Sequence, residues 1–426
     1  MTVDLLIRAA TLADGRRDID IAIDDGVIVA IGPRLDIEAA RVIDAGGDLV
    51  TPPLIDSHLH LDSTLSLGLP RRNESGTLLE GIALWGELKP HLTIEAIYER
   101  ARRLCLWSIA QGIGAIRSHV DICDDRLLAV EALTALRAEM APFITIQLVA
   151  FPQDGYRRYE RAAENLARAL AMGLDVVGGI PHFERTMDEG AASVRDLMAL
   201  AAARGLMVDM HCDESDDPQS RHIETLAAET IRHGMQGRVA GSHLTSLHSM
   251  DNYYASKLIP LIAEAGVSAI ANPLINITLQ GRHDTYPKRR GMTRVPELMA
   301  AGVNVAFGHD CVMDPWYPLG SHDMLEVAGM GLHVAQMTGV AGMRACFDAV
   351  TVNAAAAMGL SDYGIAVGRP AHLVVFDAGD PIEAIRLRAA RRLVLRAGAI
   401  IAEAPAQRSL VMVGGESRTV DFRQPH

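Results

Sequence analysis

The chain has 426 residues, 49% of them hydrophobic, and a formal net charge of −13 at pH 7. That length and apolar content support a large core plus a second, smaller unit, while the acidic balance repels nucleic acid and disfavours a polyanionic substrate. The N-terminus MTVDLLIRAATLADG has acidic residues where a signal peptide needs lysines, and no uncharged apolar run reaches membrane-spanning length. The five cysteines (Cys105, Cys123, Cys212, Cys311, Cys346) are odd in number and widely spaced, which predicts reduced thiols in a cytoplasmic protein without a membrane span.

In chain order, DLLIRAATL, DIDIAIDDGVIVAIG and ARVIDAGGDLV alternate as strands do, with Asp-Gly and Gly-Gly as turn signals. Eight buried-strand candidates follow: LVTPPLIDSHLH, GAIRSHVDI, FITIQLVAF, DVVGGIPHF, LMVDMHCDE, RVAGSHL, VSAIANPLIN and VNVAFGHD. Helix-compatible stretches separate them, among them TIEAIYERARRLCLWSIAQG, ERAAENLARALAMG and AASVRDLMALAAARG, each ending in a glycine suited to a C-cap. HLVVFDA, RRLVLRAGAIIAE and SLVMVGG then resume the β pattern. The expected architecture is α/β: a (β/α)8 TIM-like barrel over 53–364, with a small β-sandwich built from both termini, 1–52 and 365–426.

Chemistry concentrates at the strand ends. In IDSHLHLD, His58 and His60 are two apart, so both imidazoles face one side of a strand. His211, His243 and Asp310 end three later strand candidates, and side chains from several strand ends converge at the C-terminal mouth of a barrel, as a catalytic metal requires. Each has a plainer alternative: interior hydrogen-bonded histidines, or a helix cap for Asp310. Glu214, three residues past His211, can reach a water at such a metal, although Asp213, Asp216 and Asp217 crowd the same loop and a solvated acid is the alternative. By spacing, His243 is not distinguishable from a fifth ligand. Gln153, in AFPQDG, offers an amide donor and acceptor side by side, or is simply a solvated loop residue. Trp316, in DPWYPLG, suits stacking on a planar base or anchoring a loop. Cys212 and Cys311 follow proposed ligands, but strand alternation points them the other way.

Seven segments in order, HLHLD, NESGTLLEGI, VAFPQDG, VGGIPHFE, HCDESDD, ANPLINITLQGRHDTYPKRRG and FGHDCVMDPWYPLG, carry a resemblance over nearly the whole chain. The sequence resembles the amidohydrolase superfamily, and within it the bacterial cytosine deaminases. The resemblance implies a mononuclear hydrolase with one divalent ion, Fe(II) or Zn(II), held by His58, His60, His211 and Asp310, and no carbamylated lysine, since DVVGGIPHF offers none. It implies Glu214 as the proton shuttle, His243 as a hydrogen-bond partner of the attacking oxygen and Gln153 as the substrate reader. DTYPKRRG becomes a packing element rather than a phosphate loop, and His119 and His182 stay outside the ligand set. The expected substrate is a free cytosine-type base deaminated at C4, and the expected assembly is a homo-oligomer. Alternatives are deamination of another amino-heterocycle (triazine, isocytosine or aminopurine), hydrolysis of a cyclic amide, and an inactive scaffold. At one point the chain departs from the pattern: close cytosine deaminases carry Asp after the metal-binding aspartate, and here that position is Cys311. A thiol in place of a carboxylate favours a methyl group at the base's C5 edge, so 5-methylcytosine is an expected substrate.

Overall fold

A computed structural model describes residues 2–405 and 409–423. Strands β1 (Thr2–Leu12), β2 (Ile19–Asp24), β3 (Val27–Pro33), β4 (Glu38–Asp44) and β5 (Leu49–Thr51) form from the alternating N-terminal segment. The Asp-Gly signal is a two-residue hairpin loop: Asp25 and Gly26 both have positive φ, and Asp24 pairs with Val27 across it.

Each of the eight buried-strand candidates contains one barrel strand: β6 (Leu54–Leu59), β7 (Ile113–Asp121), β8 (Thr145–Phe151), β9 (Val176–Gly179), β10 (Met207–Cys212), β11 (Val239–His243), β12 (Ser268–Ala271) and β13 (Val305–Phe307). All neighbours pair in parallel and in chain order. Closure falls just past the regular strands, where the His60 N–H donates to the Asp310 carbonyl (3.0 Å) and the Asp310 N–H to the His58 carbonyl (2.8 Å). Helices Ile94–Ala110, Ala162–Ala171 and Met187–Arg204 occupy the three stretches read as helical. Glycines 112, 173 and 205 follow them with positive φ, as C-terminal caps do. The VSAIANPLIN candidate is shorter as a strand than its apolar run, because Pro273 opens a helix, Pro273–Leu279, immediately after Asn272.

After the barrel, β14 (Leu373–Phe376), β15 (Arg391–Arg396) and β16 (Ala399–Glu403) return to the N-terminal strands, and β14 pairs antiparallel with β5. The resulting order is β16-β15-β14-β5-β1-β2-β3, with β4 also on β1. Leu5, Ile21, Ile23 and Val50 from the N-terminal segment and Leu373 and Leu395 from the C-terminal one share a single apolar cluster, so both termini build one small core. SLVMVGG differs from the expectation: among the described residues β17 (Ser409–Val413) pairs only with β18 (Glu416–Val420), and its Leu410 and Met412 are exposed. Among the described residues no helix is long and apolar enough to cross a membrane.

Gly308 lets the last strand approach the first. A Cβ there would lie 2.5 Å from Asn272 Oδ1 and 2.6 Å from His58 Cβ, inside contact distance. Gly308→Ala is expected to destabilise the barrel by on the order of 1–3 kcal/mol, as overpacking does, and a chemical-denaturation midpoint equal to the parent's would show that the seam has slack.

Candidate active site

The residues singled out at the strand ends come together at the C-terminal mouth of the barrel. One donor atom from each of His58, His211, His243 and Asp310 lies within 4.8 Å of the others, and all four residues are buried. His60 joins them: its Nε2 is 3.0 Å from His211 Nε2 and 3.4 Å from Asp310 Oδ1. Burial pushes the imidazoles of His58, His60, His211 and His243 below their ordinary range, so they are neutral lone-pair donors at neutral pH. His243 and Asp310 sit at positive φ (71° and 70°), a costly backbone state for these residues that aims side chains off the strand ends.

A buried hydrogen-bond relay fixes the His58 tautomer. The Ser242 hydroxyl donates to Asp209 Oδ1 (2.7 Å), so its oxygen is left to accept from His58 Nδ1–H (2.9 Å). His58 Nε2 then carries a bare lone pair, and it is buried with no hydrogen-bond partner. Arg117 Nη1 neutralises Asp209 at 2.9 Å, entirely inside the barrel. His211 is held from the other side by Phe151, stacked at 4.1 Å between ring centroids. An orphaned imidazole nitrogen, two imidazoles facing each other, and a buried carboxylate whose charge is disfavoured by burial and by Glu214 are a donor set that a divalent cation satisfies. A metal therefore fits this site, and its N and O donors suit several first-row ions.

Beside the donors lies a cavity of about 100 Å³, lined by Gln153, Glu214, His243, Asp310, Cys311 and Trp316 among others. Every candidate substrate residue reaches it, including Cys311, contrary to the expectation from strand alternation: β13 ends at Phe307, so alternation no longer governs residues 310 and 311. Of the crowded loop acids, Glu214 alone lines it. Asp213 accepts from Ser220 Oγ and from the backbone N–H of His222 and Ile223; Asp216 accepts from His248 and from the Gly281 N–H; and Asp217 accepts from the Gln219 N–H. Burial pushes the Glu214 carboxyl up to about 8. His243 Nδ1 lies 3.4 Å from Glu214 Oε1 and accepts from Asn276 Nδ2 at 2.9 Å. Asn276 is turned that way because its Oδ1 takes the Asn272 N–H. Burial and the neighbouring carboxylates Asp314 and Asp310 keep Cys311 as a thiol. Cys212 points its sulfur to Asp213, and no cysteine belongs to a metal-ligating group among the described residues.

Several contributors escape sequence reading. Leu78, Ile82, Ile180, Phe183 and Leu279 form the cavity's apolar walls, and His182 lines it as well. NESGTLLEGI, VGGIPHFE and ANPLINITLQGRHDTYPKRRG contain them, but no spacing marks a wall residue. The DTYPKRRG segment packs against the catalytic loop: Arg289 pairs with Asp284 (2.6 Å) and donates to the Asp216 carbonyl (3.2 Å). His119 stacks under His58 at 4.1 Å.

The amidohydrolase family profile matches residues 41–416. The chain belongs to the amidohydrolase family. Among curated relatives, a pterin deaminase of Rhizobium rhizogenes is 31% identical over 91% of this chain and 89% of its own. An N-isopropylammelide isopropyl amidohydrolase of a Pseudomonas species is 28% identical, over 93% of this chain and 97% of its own. Among solved structures, 5-methylcytosine deaminase from Klebsiella pneumoniae liganded with 5-fluorocytosine superposes with a TM-score of 0.92 at 43% identity, covering 94% of this chain and 98% of that one. This amidohydrolase is thus a metal-dependent hydrolase acting on C–N bonds.

Because Ser242 holds the His58 tautomer, Ser242→Ala is expected to weaken metal affinity by roughly 10–100-fold, the usual cost of losing such a support. Competition with a chelator measures this, and an unchanged affinity would remove the relay from metal binding.

Proposed function

We propose that this amidohydrolase deaminates a free cytosine-type base at C4, releasing ammonia, with 5-methylcytosine preferred over cytosine. The observation that carries the reading is the shared cavity: a base reader, a protonatable carboxylate, the metal-donor cluster and an aromatic cover surround one small space. The structural likeness to the Klebsiella 5-methylcytosine deaminase supports it.

The ligands in this reading are His58, His60, His211 and Asp310, and a divalent ion held by them, Fe(II) or Zn(II), supplies an acidified water near neutral pH. Gln153 presents its amide to the carbonyl and ring nitrogen and fixes the ring's orientation. Trp316 covers the ring face. Glu214 takes one proton from the attacking water and gives it to the ring nitrogen, then takes the remaining proton of the added hydroxyl and passes it to the amine, which leaves as ammonia as the C4 carbonyl forms. His243, held by Asn276, stabilises the negative charge that grows on the attacking oxygen. Cys311 forms part of the wall toward the C5 substituent, in the company of Leu78, Ile82 and Phe183.

Two experiments test the reading. Glu214→Gln is expected to keep its metal while losing turnover by about 10²–10⁴, the range for a general acid–base group; ammonia release near the parent rate would take Glu214 out of the mechanism. For specificity, kcat/KM for 5-methylcytosine is expected to exceed that for cytosine by roughly tenfold, since a pocket discriminates one methyl by about 1–3 kcal/mol. Cys311→Asp should reverse the preference. A parent enzyme favouring cytosine, or an unmoved ratio in Cys311→Asp, would reject Cys311 as the determinant.

A further inference from the structure

The cavity has two walls that belong to different parts of the chain. One is the helix Leu78–Leu88, which presents Leu78, Leu79 and Ile82; the other is the loop after β8, which presents Gln153. At its near end the helix rests on Trp316: a Cβ on Gly81 would come 2.4 Å from Trp316 Cδ1, so the indole lies directly on the helix backbone. At its far end Lys89 turns inward, with only 13% of its side chain exposed. Its ammonium lies 2.8 Å from Asp121 Oδ2, at the end of β7, and 2.6 Å from Asp154 Oδ2, the residue after Gln153. Trp85, on the same helix, donates Nε1–H to Asp121 Oδ2 at 2.8 Å, and the other Asp121 oxygen accepts the Cys123 N–H at 2.7 Å. Arg126 donates to the Lys89 carbonyl at 2.7 Å and pins the turn that carries it.

One ammonium thus compensates two carboxylates that would otherwise repel across the join between the walls. Partly buried, such charge-assisted contacts are short and directional, and their loss leaves an unpaired charge. We propose that Lys89 is a positioning residue, which by bridging Asp121 and Asp154 fixes Gln153 at a set distance from the helix Leu78–Leu88 and so sets the pocket's width for a single ring. The proposal rests on the reading of Gln153 as the group that contacts the substrate. Lys89 touches neither the cavity nor the metal donors, so its effect falls on substrate binding.

The test is a double-mutant cycle with cytosine and 5-methylcytosine as substrates, in protein whose metal content is measured. Asp154 is the more exposed partner, and Asp154→Ala removes the tether while leaving Lys89 paired with Asp121. It is expected to raise KM about tenfold, with kcat within about threefold of the parent and metal content unchanged. Lys89→Gln should move KM in the same direction; should it fail to fold, Asp154→Ala decides. In Gln153→Ala/Asp154→Ala the second substitution should add less than about twofold to the KM of Gln153→Ala, because both act through one contact. Full additivity, or an unmoved KM in Asp154→Ala accompanied only by a lower thermal midpoint, would overturn the positioning role while leaving Gln153 as reader. An unmoved KM in Gln153→Ala alone would reject the reader itself, and the proposal with it.

Discussion

The seam that closes the barrel is the constraint on which the rest depends. It joins β6 to the segment after β13 through backbone bonds made by His58, His60 and Asp310, three of the four proposed ligands. Asp56, fully buried, reinforces it by accepting the N–H of both His58 and His309 on one oxygen, at 3.1 and 3.0 Å, and His322 on the other at 2.7 Å. His322 is tied in turn to Ser108. Donors from the first and last strands are therefore in place as soon as the ring of strands closes, and metal binding reports on closure. A site on rigid strand ends is also more exact than one on loops, as a donor set with tight distance demands requires.

Below that seam the barrel interior holds charge where an apolar core would be simpler. Arg117, with no exposed surface, bonds Gln147, Asp209 and the Ala357 carbonyl. Burying such a pair gains little net stability, because desolvation offsets the attraction. Its use lies one step up the relay: a charged Asp209 makes Ser242 a donor toward it, which makes Ser242 an acceptor toward His58, which leaves Nε2 bare. Replacing the pair with apolar side chains would free His58 to hold either tautomer.

This division explains what the sequence reveals. His58, His60, His211, His243 and Asp310 are legible because parallel strands place their ends at one mouth, so position in a strand predicts position in space. Arg117 and Asp209 lie on the same strands, but nothing in GAIRSHVDI or LMVDMHCDE says that two interior charges meet 92 residues apart. Glu214 stands out among its acidic neighbours only once Asp213, Asp216 and Asp217 are seen engaged by the backbone. The pairing of β17 with β18 is hidden for a related reason: alternation in SLVMVGG predicts a strand, not which sheet it joins.

The same reasoning separates what closure demands of positions 310 and 311. Asp310 gives its N–H and carbonyl to the seam and its carboxylate to the donor cluster, so its backbone and side chain are both committed. Cys311 shares the fixed backbone through a bond from its N–H to the His309 carbonyl, and its own carbonyl lies 2.9 Å from His309 Nδ1. Its side chain enters the cavity and hydrogen-bonds to Asp314 and, weakly at 3.7 Å, to Asp310. A carboxylate there would stand beside Asp310 and Asp314, so the thiol keeps that side of the cavity free of a further charge while the closing bonds stay as they are. The barrel thus fixes its donor cluster through its own closing bonds and leaves the adjoining wall to side chains that those bonds do not commit.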